Sequence, residues 1–175
     1  MHNLIRLLDG QARLVEDDPW HWLADPAQPA ANGRLILPVA AWLQRQDEAT
    51  LAGGRPSPDG LCLAPEDEVE QILAYLPLLP LIAIEFPSFR DGRGYSQAYL
   101  LRTRLGWTGE LRAVGDVLRD QLSHMRQCGF DAFAIREDKS AADALKGLAG
   151  ASVLYGRSAI EPRPLFRRRD EGLKN

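Results

Sequence analysis

Arg90 and Arg93 bracket the dipeptide Asp91-Gly92, and Gly94, Tyr95 and Ser96 follow directly. Guanidinium groups offer planar, bidentate hydrogen bonds to sulfate, phosphate or carboxylate. Gly92 and Gly94 permit positive φ and let the backbone approach a ligand closely. The amides of this stretch, with those opening the next helix, could form an anion-binding concavity. Tyr95 and Ser96 add hydroxyls. Further along the chain come Asp116, Arg119 and Asp120, and then the polar run Arg136 to Ser140. These ten residues, Arg90 to Ser96 with Asp116, Arg119 and Asp120, are the candidates for binding a small anion or a partner. The competing reading is a plain turn at Asp91-Gly92, with the arginines paired to Asp116, Asp120 or Glu85.

Other chemistries lack their residues. His2, His21 and His124 are scattered, and Cys62 and Cys128 have no metal-ligand spacing, so no metal is expected. After Gly92-Arg-Gly94 the third glycine position of a dinucleotide fingerprint holds Gln97, and no Gly-Lys-Ser/Thr of a P-loop follows. There is no G-x-S-x-G nucleophile elbow. Cys128 precedes Gly129 at a predicted helix C-terminus, where the dipole disfavours a thiolate, and reads as a packing residue. No catalytic residue and no cofactor is assigned.

The elements that must hold these residues follow a pattern. Five apolar runs, Arg34 to Val39, Leu61 to Ala64, Leu81 to Phe86, Glu110 to Val114 and Phe130 to Ile135, alternate with helical stretches. Pro65 and the acidic Glu66, Asp67 and Glu68 suit a helix start, Gly106 and Gly129 suit helix ends, and Ser140 caps a helix over 141–148. Strand–helix alternation predicts an α/β fold: about five βα units forming a mostly parallel sheet. Two architectures fit, a three-layer sheet with helices on both faces and a partial, barrel-like (βα) sheet. Five units are too few to close a barrel, which favours three layers. In either, ligands bind beyond the carboxyl ends of the strands, so the loops after the third, fourth and fifth runs should share one rim.

The flanks read differently. Leu4 to Leu8 and Ala12 to Val15 surround Asp9-Gly10, which predicts a hairpin. Residues from Asp18 to Gly33 hold Pro19, Pro26 and Pro29 and read as a loop, whose Trp20 and Trp22 either pack it onto the body or form a partner-binding aromatic patch. The chain thus divides into a hairpin and Pro-rich arm (1–33), an α/β domain (34–155) with a last short strand at Val153 to Tyr155, and a basic tail (156–175). From residue 151 onward six basic residues face three acidic ones, a net +3, so the remainder carries −6 of the overall −3. That tail is either a solvated end or a docking arm for an acidic surface.

Composition sets the outer bounds. The chain has 175 residues, 45% of them hydrophobic and 26% charged, enough for one packed domain. With 21 basic and 24 acidic residues it lacks the cationic footprint of a nucleic-acid binder. The longest apolar stretch, Leu76 to Ile84, contains two prolines and is far shorter than the roughly 20 residues of a membrane span. With no leader pattern, the expectation is a cytoplasmic protein with free thiols.

Three segments go further. Leu-Ile-Ala-Ile-Glu-Phe-Pro-Ser-Phe-Arg-Asp-Gly-Arg-Gly-Tyr-Ser-Gln-Ala from Leu81, Gly-Glu-Leu-Arg-Ala-Val-Gly-Asp-Val-Leu-Arg-Asp-Gln from Gly109, and Cys-Gly-Phe-Asp-Ala-Phe from Cys128 resemble the bacterial domain-of-unknown-function family 934. The resemblance covers roughly residues 34–155 and leaves the basic tail outside. Members are typically encoded beside assimilatory sulfite reductase and are often labelled probable oxidoreductases of sulfite reduction. It therefore implies a role in sulfur assimilation and supplies no catalytic residues. A redox protein needs a cofactor or a thiol pair, and this chain shows neither motif. The expectation is an accessory protein that binds sulfite reductase and supports its assembly, electron delivery or substrate supply. The alternatives are an enzyme acting on a sulfur oxyanion or phosphorylated small molecule through Arg90, Arg93 and Asp116, or a flavin-dependent oxidoreductase.

Overall fold

The computed structural model describes residues 3–23, 34–51, 53–54, 57–148 and 154–172. Its strands are β1 (Leu4–Leu8), β2 (Gln11–Val15), β3 (Trp20–Trp22), β4 (Arg34–Pro38), β5 (Gly60–Leu63), β6 (Leu81–Phe86), β7 (Glu110–Gly115) and β8 (Ala132–Ala134). They form one sheet in the order β2-β1-β8-β7-β6-β5-β4-β3. β3 to β8 are parallel neighbours in chain order, while β1 pairs antiparallel with both β8 and β2. Parallel neighbours in simple order cross over in one sense, so their helices fall on one face and the sheet bends around the other. The result is a mixed α/β fold with a curled, open half-barrel sheet.

α1 (Val39–Leu51) follows β4, and a 3-10 helix, Val69–Leu78, follows β5. α2 (Arg93–Thr103) follows β6; a 3-10 turn, Arg119–Gln121, and α3 (Leu122–Cys128) follow β7. α4 (Ala141–Ala144) with the 3-10 turn Leu145–Leu148 follows β8, and α5 (Leu165–Gly172) comes last. Pro77 lies inside the 3-10 helix and has no N–H to donate. Ser140 caps α4 as its sequence predicts, accepting from Asp143 N at 3.2 Å.

Three layers are not what forms. Outward-facing Ile82, Ile84, Phe86, Leu111 and Phe133 share one core with Trp42, Ile72, Leu101, Leu122 and Met125 of the helices. The opposite core, Leu4, Trp20, Ile36, Cys62, Leu81, Ala83, Val114, Ala132 and Ala134, is built from strands alone. Alternation of large and small residues along β6 and β8 is compatible with either architecture, so periodicity could not choose. Small Ala83, Ala132 and Ala134 on the inside are what leave room for the sheet to curl.

Residues 3–23 hold more strand structure than the sequence reading gave them. Asp9 and Gly10 take φ of 50° and 78°, the signature of a tight hairpin turn, and the hairpin extends the sheet through β1. Trp20–Trp22, read as loop, is a strand parallel to β4, and Trp20 is buried in the inner core. Alternating aromatics fit a pleated, half-buried surface. Arg112, fully buried on the inner face, donates to Asp18 at 2.7 and 3.0 Å and to Glu110 at 2.6 Å, pinning the segment before β3 across the sheet. His2, the prolines at 26 and 29, Gly33 and Val153 lie outside the described residues; Leu154 and Tyr155 form no strand. Among the described residues no helix is long and apolar enough to cross a membrane.

Candidate functional site

The carboxyl ends of β5, β6, β7 and β8 deliver four loops to one rim. After β6, Asp91 N donates to Ser88 O at 2.9 Å, closing a turn with Phe89 and Arg90 at its tip. Asp116, directly after β7, holds that turn. Its Oδ2 accepts from Phe89 N at 2.8 Å, and its Oδ1 accepts from Arg136 Nη1 at 2.6 Å. Gln121 grips the turn from below: Nε2 donates to Phe89 O and to Tyr95 Oη, both at 3.3 Å, and Oε1 accepts from Leu118 N at 2.8 Å. With its backbone bonded on both sides, Phe89 is still 48% exposed as a residue, and the Arg90 guanidinium sits 5.5 Å from the ring centroid.

Asp91, just before the start of α2, accepts from Arg93 N at 3.1 Å and holds the Arg93 guanidinium at 2.7 and 3.0 Å. Arg93 also reaches Glu66 of the loop after β5 at 3.1 Å. Arg93 thereby holds the Asp91 carboxyl below the ordinary range, and Asp91 raises Arg93 in turn. The partners are thus Asp91 and Glu66 rather than Asp116, Asp120 or Glu85. Beside them, Arg136 engages Asp138 at 2.6 Å and, with help from Lys139, holds its carboxyl down to about 2. Asn3, far away in sequence, fastens this loop: Nδ2 donates to Lys139 O at 2.6 Å and Oδ1 accepts from Ala141 N at 3.1 Å.

Of the ten candidates, Arg90, Asp91, Arg93 and Asp116 meet on the rim. Tyr95 drops into the layer beneath, with its ring 4.7 Å from that of His124, and Ser96 lines a groove on the outer face. Arg119 turns to Asp143 at 3.1 Å, and Asp120 stands exposed on the same turn. Gly92 and Gly94 do not use positive φ; Gly92 has φ −89°. Gly94 is needed for packing, since a Cβ there would lie 2.8 Å from Phe86 Cζ. The rim glycine with positive φ is Gly115 (φ 92°), seated on the Phe86 carbonyl.

Sequence reasoning singled out none of Glu66, Phe89, Gln121 or Asn3. Glu66 and Phe89 carried a usable signal, since both directly follow predicted strands. Glu85, one residue before the end of β6, faces the inner side, half-buried; burial, then Glu66 and Asp67, push its carboxyl up. Among the described residues, no His, Cys, Asp or Glu side chains group as a metal site. Cys62 and Cys128 are free and buried, and burial raises both thiols, so neither is a ready nucleophile.

The profile of the family described as bacterial protein of unknown function (DUF934) matches residues 60–166. The chain belongs to this family. The DUF934 match opens at β5, spans the whole rim from Glu66 to Lys139, and ends inside α5. β1 to β4 and α1 precede it. Among curated proteins nothing matches the chain.

Proposed function

We propose that this protein is a non-catalytic accessory factor of assimilatory sulfite reduction, which docks on sulfite reductase through the rim. The reading takes the chain as five successive βα units of a partial barrel working in the cytoplasm. What supports it is the Phe89–Arg90 tip: an exposed aromatic ring with an arginine beside it, on a loop whose backbone is bonded from two sides. Aromatic and arginine side chains dominate protein–protein hot spots, and a prearranged loop spares ordering entropy on binding. Arg90 has no carboxylate partner among the described residues, whereas Arg119 pairs with one carboxylate and Arg93 and Arg136 with two each. A small anion would have to displace Asp91 and Glu66 to reach Arg93, which weighs against a compact oxyanion pocket.

The test is co-purification of the full chain with sulfite reductase, alongside an absorbance spectrum. The expected result is a stoichiometric, colourless contribution from this chain, and a fall in affinity of about tenfold or more for Phe89→Ala and for Arg90→Ala. A bound flavin spectrum without complex formation would overturn the proposal in favour of the redox reading.

A further inference from the structure

The outer helical layer carries a groove and two oppositely charged flanks that the rim does not use. α2 lies in the middle of this layer. On one side Gln97 Nε2 donates to Ala64 O at 2.8 Å and Asp67 O at 2.9 Å, just ahead of the Val69–Leu78 helix; on the other, Tyr95 packs on His124 of α3. Outward, α2 presents Ser96, Tyr99 and Thr103, an exposed stripe without charge. Beside that stripe opens a groove of about 580 Å³ lined by Tyr95, Tyr99, Leu100, Arg104 and Cys128.

The flank beyond α3 is basic. The C-terminal segment folds back there, with Ala159 N donating to Gln127 O at 2.8 Å and Leu165 N to Tyr155 O at 3.0 Å. It exposes Arg157, Arg167 and Arg169, together with Ile160 and Phe166. The flank on the other side of α2 is acidic. Glu68 and Glu70 stand exposed at the start of the Val69–Leu78 helix, and Leu73 and Leu78 are exposed along it. Arg104, Arg157, Glu68 and Glu70 have no ion pair among the described residues.

We infer that this face binds a second copy of the same chain about a twofold axis passing over α2. Because the two flanks lie on opposite sides of α2, one twofold rotation sets each flank against its opposite on the other copy. The contact then forms twice and closes on itself. The exposed leucines of each copy meet the apolar groove beside Tyr99 of the other, while Glu68 and Glu70 meet Arg104 and Arg157. A twofold axis set at right angles across α2 would instead bring like charges together, which disfavours that alignment. An acidic segment of a different protein would engage only the basic flank and leave Leu73 and Leu78 bare. The surface uses neither Phe89 nor Arg90 and does not depend on the docking proposed for the rim.

Sedimentation velocity on the full chain tests this. Wild type should sediment as a dimer that dissociates as salt rises. Arg104→Glu with Arg157→Glu, and Glu68→Arg with Glu70→Arg, should each raise the dimer dissociation constant at least tenfold. An equimolar mixture of these two variants should dimerise again, because every reversed flank then meets its opposite. Leu73→Asp, at a site exposed in the single chain, should stay folded by circular dichroism and become monomeric. A monomeric wild type, a dimeric Leu73→Asp protein, or a mixture of folded reversed variants that stays monomeric would each overturn the inference.

Discussion

Asp116 accepts a hydrogen bond from the backbone N–H of Phe89 at 2.8 Å, joining loops that leave adjacent parallel strands. The first residue after β7 thereby sets where the tip of the β6 loop points. The second Asp116 oxygen is taken by Arg136, so loops from three neighbouring strands, β6, β7 and β8, converge on one carboxylate. Asp116→Ala removes that junction. The Phe89 bond itself contributes about 1 kcal/mol, the ordinary net value. Thermal unfolding should therefore show a modest loss. Partner affinity should fall by more than stability does, since the freed loop must be reordered on docking. A variant as competent in docking as wild type would separate Phe89 positioning from function.

Arg93 is an exposed side chain that joins the exposed Glu66 to the partly covered Asp91, and pairs held by so exposed an arginine add little to folding. Arg93→Ala should leave the melting temperature nearly unchanged. Losing it exposes Asp91 and Glu66 without a counter-charge, so weak anion binding should not appear in the variant either. Titration with sulfate, followed by the melting temperature, checks both statements. A sulfate-dependent rise in wild type that Arg93→Ala abolishes would restore the oxyanion reading of this loop.

How much of this could be read beforehand varied with the physics involved. β6, β7 and α2 were legible because a buried strand needs an unbroken apolar run and a helix end needs its glycine or cap. The one-sided arrangement of helices was not, because Ala83 and Ala134 are small for reasons of curvature that also suit a flat, doubly covered sheet. Trp20–Trp22 was hidden by its short length and the neighbouring Pro19. At the site, the strand ends pointed to Asp91, Arg93 and Asp116, and the structure sets these three on one rim. Tyr95 and Ser96 left it because one helical turn is enough to rotate a side chain from the rim to the layer below. Asn3 could not have been found, since only tertiary pairing of β1 with β8 brings it to Lys139.

Gly115 and Gly94 separate backbone strain from packing. Gly115 has φ of 92°, and a side chain there would run into the Phe86 carbonyl. Alanine at this site suffers both the disfavoured conformation and a backbone clash, with a loss of about 2 kcal/mol or more expected. Gly94 has ordinary helical backbone, and a Cβ there meets the Phe86 and Ile84 side chains rather than a carbonyl, so Gly94→Ala should cost less. Denaturant unfolding of both variants gives the order. If Gly94→Ala proved the more damaging, the close approach of α2 to β6, rather than the Gly115 turn, would be the tighter constraint on the rim.

Asp18 and Glu85 both belong to the inner side of the sheet, and their carboxyls shift in opposite directions. Burial pushes Asp18 up, but the Arg112 guanidinium outweighs it and holds the carboxyl below its ordinary 3.8. Folded protein then binds fewer protons there than unfolded chain, so Asp18 adds stability above that value, and the contribution is lost as pH falls through the folded pKa. Glu85 is raised above its ordinary 4.5 by burial and by Glu66 and Asp67. Here the folded state keeps its proton longer, so stability is greatest below that value and falls as pH rises through the raised pKa. Asp18→Asn should destabilise by about 3 kcal/mol near neutral pH, because Arg112 stays buried with less countercharge. Glu85→Gln should do the reverse, raising the melting temperature near neutral pH, with the gain vanishing by about pH 4. A Glu85→Gln gain of equal size at both pH values would show that shape, not charge, limits stability at this position. A loss at neutral pH would mean that the Glu85 carboxylate has a cationic partner in solution.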